Sequence, residues 1–142
     1  MTAAIMAMLD SYRAGFARSD AAAAAEHYTL PCFVTSDADP VTLLSWATRE
    51  ECRAGIQRVL DWHRELGVAS SRTLRQDVIE LSPRIASLDL HVELQDADSR
   101  GLYDYRGFYA LALQNGVWRI SSIVHNQIPR LLAALKQRRS VP

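Results

Sequence analysis

The chain has 142 residues, of which 49% are hydrophobic and 23% charged, and its 16 basic and 16 acidic residues cancel. This length is enough for a domain with a substantial core, and the lack of net positive charge argues against nucleic acid or an anionic membrane surface as a partner. The sequence has only two cysteines, no basic leader and no long apolar run. It therefore predicts a cytoplasmic protein that is neither cross-linked by disulfides nor inserted in a membrane.

The first third of the chain is predicted to be mainly helical. Apolar residues from Ile5 to Phe16 recur at helical spacing. A second, short helix should run through the alanines from Asp20 to about Tyr28, where the following Pro31 stops it. Short strands are then expected at 32–35 and 41–46, separated by turn-forming residues.

A capping box predicts the start of the next helix. Thr48 precedes Glu51 by three residues, and Gly67 is placed to end this helix. The remaining elements are predicted as strands or strand pairs and a tail helix, at about 73–81, 85–95, 103–127 and 129–140. Helices followed by a meander of strands predict one α+β domain over 1–142, with the N-terminal helices packed on one face of a curved antiparallel sheet.

The hairpin over 103–127 is the most informative segment. Asn115-Gly116 is typical of a two-residue type I′ turn, which sets opposite each other the residues whose numbers sum to 231. One face is then large and apolar, carrying Tyr109, Leu111, Leu113, Trp118, Ile120 and Val124. The other face is small in its middle and polar at its far end, carrying Asp104, Arg106, Phe108, Ala110, Ala112, Arg119, Ser121, Ile123 and His125. We expect the small, polar face to line a pocket and the large apolar face to associate with a second copy of the chain.

His125, opposite Arg106 and beside Asp104 in this register, forms the strongest candidate site. The carboxylate can orient the imidazole, which can transfer a proton near neutral pH, while the guanidinium can instead bind a ligand carboxylate. The alternative is a structural polar network at the rim of the sheet. His91 is a second acid/base candidate if its face of strand 85–95 lines the pocket, but we favour packing of the alternate leucine face on the helices.

The element order resembles the nuclear transport factor 2-like (NTF2-like) superfamily, especially its SnoaL-like and ketosteroid-isomerase-like branches. The residues that carry the resemblance are YRAGFARSD at 12–20, the alanine-rich helix that follows, and NGVWRI at 115–120. The resemblance implies a cystatin-like cone with helices on the concave face of the sheet, a ligand inside the cone, and a homodimer formed through the convex face.

The resemblance also suggests roles for single residues. Tyr12 falls where ketosteroid isomerases keep an oxyanion-hole tyrosine, and Ser36 falls where they keep the general-base aspartate. A position near Phe108 corresponds to their protonated aspartate. Because two of the three roles lack their residue, steroid isomerase activity is not expected. From the residues alone, Tyr12 is also explained by core packing, and Trp46 either caps the pocket or belongs to the core.

No cofactor or metal is expected. The histidines lack HxH or HExxH spacing, the cysteines stand alone, and GxSxG, Walker A and GxGxxG motifs are absent from the sequence. Three functions stay open: a small-molecule-binding protein, a cofactor-independent isomerase, dehydratase or cyclase, and a dimeric interaction module with a filled cavity. In the enzyme, His125 or His91 would be the base, with Asp104 orienting it and Tyr12 polarising a carbonyl. The alanine- and arginine-rich usage favours a bacterial source.

Overall fold

The computed structural model describes residues 2–140 and has an α+β architecture. Its elements follow in the order α1 (Thr2–Ala17), α2 (Ala21–Ala25), β1 (Tyr28–Ser36), β2 (Thr42–Trp46), α3 (Arg49–Leu66), β3 (Ser70–Ser82), β4 (Ile85–Gln95), β5 (Gly101–Gln114), β6 (Val117–His125) and α4 (Gln127–Arg139). The strands form a curved, unclosed sheet in the order β2-β1-β6-β5-β4-β3. This confirms the predicted fold class, a cystatin-like α+β fold in which the N-terminal helices pack against one face of a sheet.

The expectation of a wholly antiparallel sheet is wrong at one strand pair. β1 runs parallel to β6, whereas the other neighbouring strands are antiparallel. Antiparallel neighbours here follow one another along the chain and are joined by short turns. β1 and β6 are instead brought together from opposite ends of the chain, so no turn imposes their relative direction.

Local signals account for the ends of the longest helix. The Thr48 side chain accepts a hydrogen bond from the Glu51 backbone amide at 3.2 Å, and Gly67 ends α3 with a φ of +88°, as the capping box and C′ glycine predict.

α4 begins earlier than expected, at Gln127, because Pro129 occupies its first turn, where a backbone N–H has no intrahelical partner.

The predicted break at Pro31 is wrong. α2 ends at Ala25, and β1 already starts at Tyr28 and passes through Pro31. The pairing of β1 with β6 is irregular between Tyr28 and Phe33, so the proline sits where the ladder requires no N–H from it.

The helix-facing side of the sheet, called the inner face below, carries the large apolar residues. Buried side chains on it include Leu88, Leu90, Val92, Leu94, Tyr109, Leu111, Trp118 and Ile120. They share one core cluster with Ile5 and Leu9 of α1 and with Ile56 and Leu60 of α3. The expectation that the Leu111–Trp118 face of the hairpin is convex and free to associate is therefore wrong, because the helices bury it within one chain.

The register of the hairpin changes at a β-bulge. Asn115 and Gly116 have φ of 52° and 77°, which confirms the turn, and the predicted register holds as far as Leu111 opposite Ile120. The pairing then shifts, so that Ala110 lies opposite Ser122.

This bulge explains why the predicted His125–Arg106 pair is wrong. An extra residue on one strand reverses the faces of the residues beyond it relative to the partner strand. His125 consequently lies opposite Gly107 and on the inner face, while Arg106 points to the outer face.

Candidate functional site

A cavity of about 350 Å³, called the central cavity below, lies between the inner face of the sheet and helices α1 and α3. This size is typical of small-molecule sites. The wall is mainly apolar and aromatic and includes Leu9, Tyr12, Phe16, Tyr28, Trp46, Leu60, Tyr105, Tyr109 and Ile123. Several exposed residues also line it, Arg58 and Arg64 on α3 and Ser70 and Ser71 at the start of β3, and they mark where the cavity meets the surface.

Two glycines set the positions of aromatic rings in this wall. A Cβ on Gly107 would lie 2.9 Å from Cε1 of Tyr109, and a Cβ on Gly55 would lie 2.3 Å from Cζ2 of Trp46. Each ring therefore occupies space that a side chain at the glycine would otherwise fill.

Tyr12 and Tyr28 form a hydrogen-bonded pair in the wall. Their hydroxyl oxygens are 2.5 Å apart, and Tyr28 stacks on Trp46 with ring centroids 5.9 Å apart. Burial raises the pKa of both phenols well above the usual value, so both keep their protons at neutral pH. One proton joins the two oxygens, and the other can be donated to a group in the cavity.

His125 is held as a neutral hydrogen-bond donor. The backbone N–H of Gln127 donates to its Nδ1 at 3.1 Å, so the proton of the neutral ring is on Nε2. Burial lowers the pKa of His125 to about 4. At neutral pH the ring therefore offers an N–H on Nε2, and its basic nitrogen is already engaged.

Ser36 lies next to His125, because the two residues are partners in the β1–β6 register. Its side chain is buried, with 5% exposed, and lines the cavity. Its Oγ has no hydrogen-bond partner within residues 2–140. An unsatisfied buried hydroxyl costs about 1–3 kcal/mol, so this position is suited to an acceptor or donor that enters the cavity.

A polar chain at the same end of the sheet joins α3, β5 and α4. The Gln127 side-chain amide donates to the Tyr103 hydroxyl at 3.1 Å, and that hydroxyl lies 2.5 Å from Nε2 of His63. Since burial lowers the pKa of His63 to about 4, the ring is neutral at pH 7, and its Nε2 shares one proton with the Tyr103 hydroxyl. His63 thus combines a core position with a place in the cavity wall.

The structure brings five of the sequence-predicted site residues to the cavity and leaves six outside it. Those that line the cavity are Tyr12, Ser36, Trp46, Ile123 and His125. Those outside are His91, Asp104, Arg106, Phe108, Arg119 and Ser121. The sequence reasoning missed Arg13, Tyr105 and Tyr109. The spacing of Tyr103, Tyr105, Gly107 and Tyr109 at every second position was the signal that these residues share the inner face.

The predicted partnership of Asp104 with His125 is wrong. On the outer face, Asp104 contacts His91, with Nε2 and Oδ2 2.7 Å apart, and accepts from Arg130 at 2.6 Å. Hydrogen bonds from His91 and Arg130 lower the pKa of Asp104. The interpretation of His91 as an outer-face residue is confirmed, since the alternate leucines of β4 are the buried ones.

The other outlying residues also have local contacts away from the cavity. Arg106 pairs with Asp89 at 3.1 Å, Arg119 donates to the Glu26 carbonyl at 3.3 Å, and the Ser121 hydroxyl donates to the Ala110 carbonyl at 3.2 Å. Phe108 is 54% exposed on the outer face. The expectation that these four residues line the pocket is therefore wrong, because the hairpin presents its other face to the helices.

Within residues 2–140, no three or more His, Cys, Asp or Glu side chains are grouped as a metal site. Cys32 and Cys52 are buried and not bonded to each other. In the same part of the chain, none of the helices has the length and apolar character needed to cross a membrane.

Comparison with known proteins gives one family match. The family described as NTF2-like protein (DUF6841) matches residues 3–127, whereas none of the curated proteins matches the chain.

Solved structures share the fold at low identity. An NTF2-like protein of unknown function from Shewanella oneidensis is 14% identical, with a TM-score of 0.70 over 89% of this chain and 98% of that one. Aln2 from a Streptomyces species is 16% identical, with a TM-score of 0.70 over 96% and 95%. A ketosteroid isomerase-like protein from Erwinia carotovora is 18% identical, with a TM-score of 0.64 over 89% and 95%.

Proposed function

The chain belongs to the NTF2-like family DUF6841, and on that premise we propose that it binds a small, mostly apolar organic molecule in the central cavity. The observation that carries the proposal is the Ser36 hydroxyl, which is buried on the cavity wall without a partner in the described chain. Beside it, His125 offers its Nε2 proton. Unpartnered polar groups converging in an apolar cavity are typical of ligand sites.

Binding is better supported than general-base catalysis. A base needs a free lone pair within reach of the substrate, but Nδ1 of His125 accepts from Gln127 and Nε2 of His63 is hydrogen-bonded to the Tyr103 hydroxyl. The described cavity lining contains no aspartate or glutamate. The groups that face the cavity are therefore arranged to hold a ligand by donating hydrogen bonds.

Filling the cavity should abolish ligand entry. The neutral dye N-phenyl-1-naphthylamine should bind with a rise in fluorescence, and Ser36→Leu should weaken its binding at least about tenfold, because the larger side chain projects into the space that the dye needs. Fluorescence titration of both proteins measures this change. Ser122→Leu, the same substitution on the outer face of β6, is the matched control and should bind the dye as the parent chain does. Equal binding by the Ser36→Leu protein would place the dye elsewhere and contradict the proposal.

We also propose that two copies of the chain associate through the outer face of the sheet. Neighbouring strands expose a patch of apolar side chains there, Phe33, Leu43, Phe108 and Val124, with exposed fractions of 54%, 75%, 54% and 48%. The register sets Val124 beside Phe108 and Thr35, and Thr35 beside Leu43, so the patch is continuous. An exposed apolar patch on a sheet indicates an association surface.

A charge in this patch should separate the two copies. Phe108→Glu should raise the dimer dissociation constant at least about tenfold, since pairing would remove a carboxylate from water in place of an apolar ring. Sedimentation equilibrium measures the effect. Ile79→Glu, on the same face but at the β3 edge, should leave association unchanged. A monomeric parent chain, or an unaltered Phe108→Glu dimer, would rule out this surface.

A further inference from the structure

The charged groups in the cavity wall all have one sign. The described lining contains Arg13, Arg58 and Arg64 but no aspartate or glutamate. Arg58 lies over the Trp62 ring at 5.2 Å, and both Arg58 and Arg64 are exposed. Arginines at a mouth with apolar walls attract anions from solution.

Arg13 is the arginine placed deepest in this wall. It is half-buried on α1, and its Nη2 donates to Oε1 of Gln76 on β3. The Gln76 amide is itself held by a contact of Nε2 with the Met6 sulfur at 3.3 Å. Burial raises the pKa of Tyr105 and Tyr109, and the charge of nearby Arg13 opposes that rise. The guanidinium is therefore near the phenol groups inside the cavity.

Arg13 has no acidic partner among the residues that the structure describes. None of the ion pairs among residues 2–140 includes it. The nearest strands do carry acids, but Asp77 and Asp89 point to the outer face, where Arg75 pairs with both, at 2.8 Å and 3.2 Å. Glu80 of β3 accepts instead from the Thr2 hydroxyl of α1 at 2.7 Å. A guanidinium has five N–H donors, and one neutral acceptor leaves most of them unused. A partly buried cation of this kind is stabilised by a counter-charge.

Three other polar groups of the wall can donate as well. Nε2 of His125 carries a proton, the Tyr12–Tyr28 pair has one proton to give, and the Ser36 hydroxyl has no acceptor in the described chain. A cavity lined by donors and cations fits a molecule that is rich in acceptors, and it disfavours a cationic ligand.

We propose that the ligand is an organic anion, with an apolar or aromatic body inside the central cavity and a carboxylate-type or sulfonate-type acid group paired with Arg13. This inference rests on the proposed small-molecule site and names the chemical class that the site accepts. Arginine suits the role because its planar fork can bind two oxygens of one acid group at once.

Two dyes with the same aromatic skeleton test the proposal. 8-Anilinonaphthalene-1-sulfonate is N-phenyl-1-naphthylamine with an added sulfonate, so the ratio of their dissociation constants isolates the acid group. The parent chain should bind the sulfonate dye at least about tenfold more tightly than the neutral dye. Arg13→Gln should abolish that preference by weakening the sulfonate dye alone, and Arg13→Lys should keep part of it. Arg84→Gln removes the same charge from the exposed β3–β4 turn and should leave the preference intact.

The outcomes separate this proposal from the one it rests on. If the neutral dye binds and the parent chain shows no preference for the sulfonate, the anion inference is overturned while the binding site stands. The same holds if Arg13→Gln keeps the full preference. If neither dye binds, the binding site itself is contradicted. If the Arg13→Gln protein still binds the neutral dye, it is folded. If it does not fold, the inference is still tested by the ratio of the two dissociation constants in the parent chain and by the Arg13→Lys protein.

Discussion

Acidification from pH 7 to pH 4 should strongly destabilise this protein, and His63 and His125 should account for most of the loss. Burial lowers the pKa of each from 6.5 to about 4. The unfolded chain therefore binds protons first as the pH falls. The stabilisation is complete above about pH 6.5 and is lost progressively as the pH approaches 4, by up to about 3 kcal/mol for each histidine.

The hydrogen bonds of these residues explain why protonation is unfavourable in the folded state. Nδ1 of His125 accepts the Gln127 amide proton, and Nε2 of His63 is hydrogen-bonded to the Tyr103 hydroxyl. Protonation would put a charge into each of these buried sites, and at His125 it would also break the bond from Gln127, because a protonated ring has no free lone pair. Surface carboxylates such as Glu65, whose pKa is lowered from 4.5 by Arg139, keep their contribution down to about pH 4.5 and lose it as the pH falls further.

Urea unfolding at pH 7, 6, 5 and 4 measures the effect, with paired variants as controls. Glutamine places an amide near the Nε2 position of histidine and asparagine places one near Nδ1, so His63→Gln and His125→Asn preserve the hydrogen bonds but do not titrate. Each variant should remove about half of the stability change between pH 7 and pH 5, and the double variant should remove most of it. A double variant with the parent pH dependence would show that other groups are responsible.

Gly55→Ala should destabilise the chain although it places a better helix former inside α3. Alanine in a helix interior is favoured over glycine by about 1 kcal/mol. Here, however, the new Cβ would lie 2.3 Å from Cζ2 and 2.8 Å from Cη2 of Trp46. Overpacking of this kind costs about 1–3 kcal/mol, so we expect a net fall in the free energy of unfolding.

The displaced ring should also disturb the cavity wall. Trp46 stacks on Tyr28, and Tyr28 is bonded to Tyr12, so N-phenyl-1-naphthylamine should bind more weakly to the Gly55→Ala protein. Chemical denaturation and dye titration measure the two effects.

Two comparisons identify the cause of the Gly55→Ala effect. Ala54→Gly, at an exposed neighbouring position of the same helix, gives the intrinsic helix cost of about 1 kcal/mol. In a Trp46→Leu background, Gly55→Ala should become stabilising, because the ring that it meets is gone. If Gly55→Ala stabilises the parent chain, the close packing of Trp46 on α3 is incorrect.

The sequence was most informative where one short motif decides the backbone. Asn115-Gly116 allowed the turn and the first four residue pairs of the β5–β6 ladder to be predicted, and Thr48 with Glu51 predicted the start of α3. The bulge at Ser121–Ser122 could not be predicted, since two serines in a strand are equally compatible with regular pairing and with an extra residue. That single residue reversed the faces assigned to Asp104, Arg106 and Phe108 relative to His125.

The candidate site was predictable only in part, for a related reason. The resemblance to ketosteroid isomerases led to Tyr12 and Ser36. His125 lines the cavity as predicted, but its neighbour there is Ser36 and not the predicted Arg106. Arg13 follows Tyr12 directly, yet its significance depends on the acids of the surrounding strands being paired elsewhere, with none of them paired to Arg13. That is a property of the tertiary arrangement, and no local pattern carries it.

The parallel pairing of β1 with β6 has a consequence for how the chain acquires its structure during synthesis. β6 lies in the middle of the sheet, between β1 and β5, although it is the last strand to leave the ribosome. Until it emerges, the early pair β1–β2 has no link through the sheet to β3–β5, and Ser36 lacks its neighbour His125. Nascent chains that stop before Val117 should therefore lack the central cavity altogether, and closing this long connection should be a late event in folding.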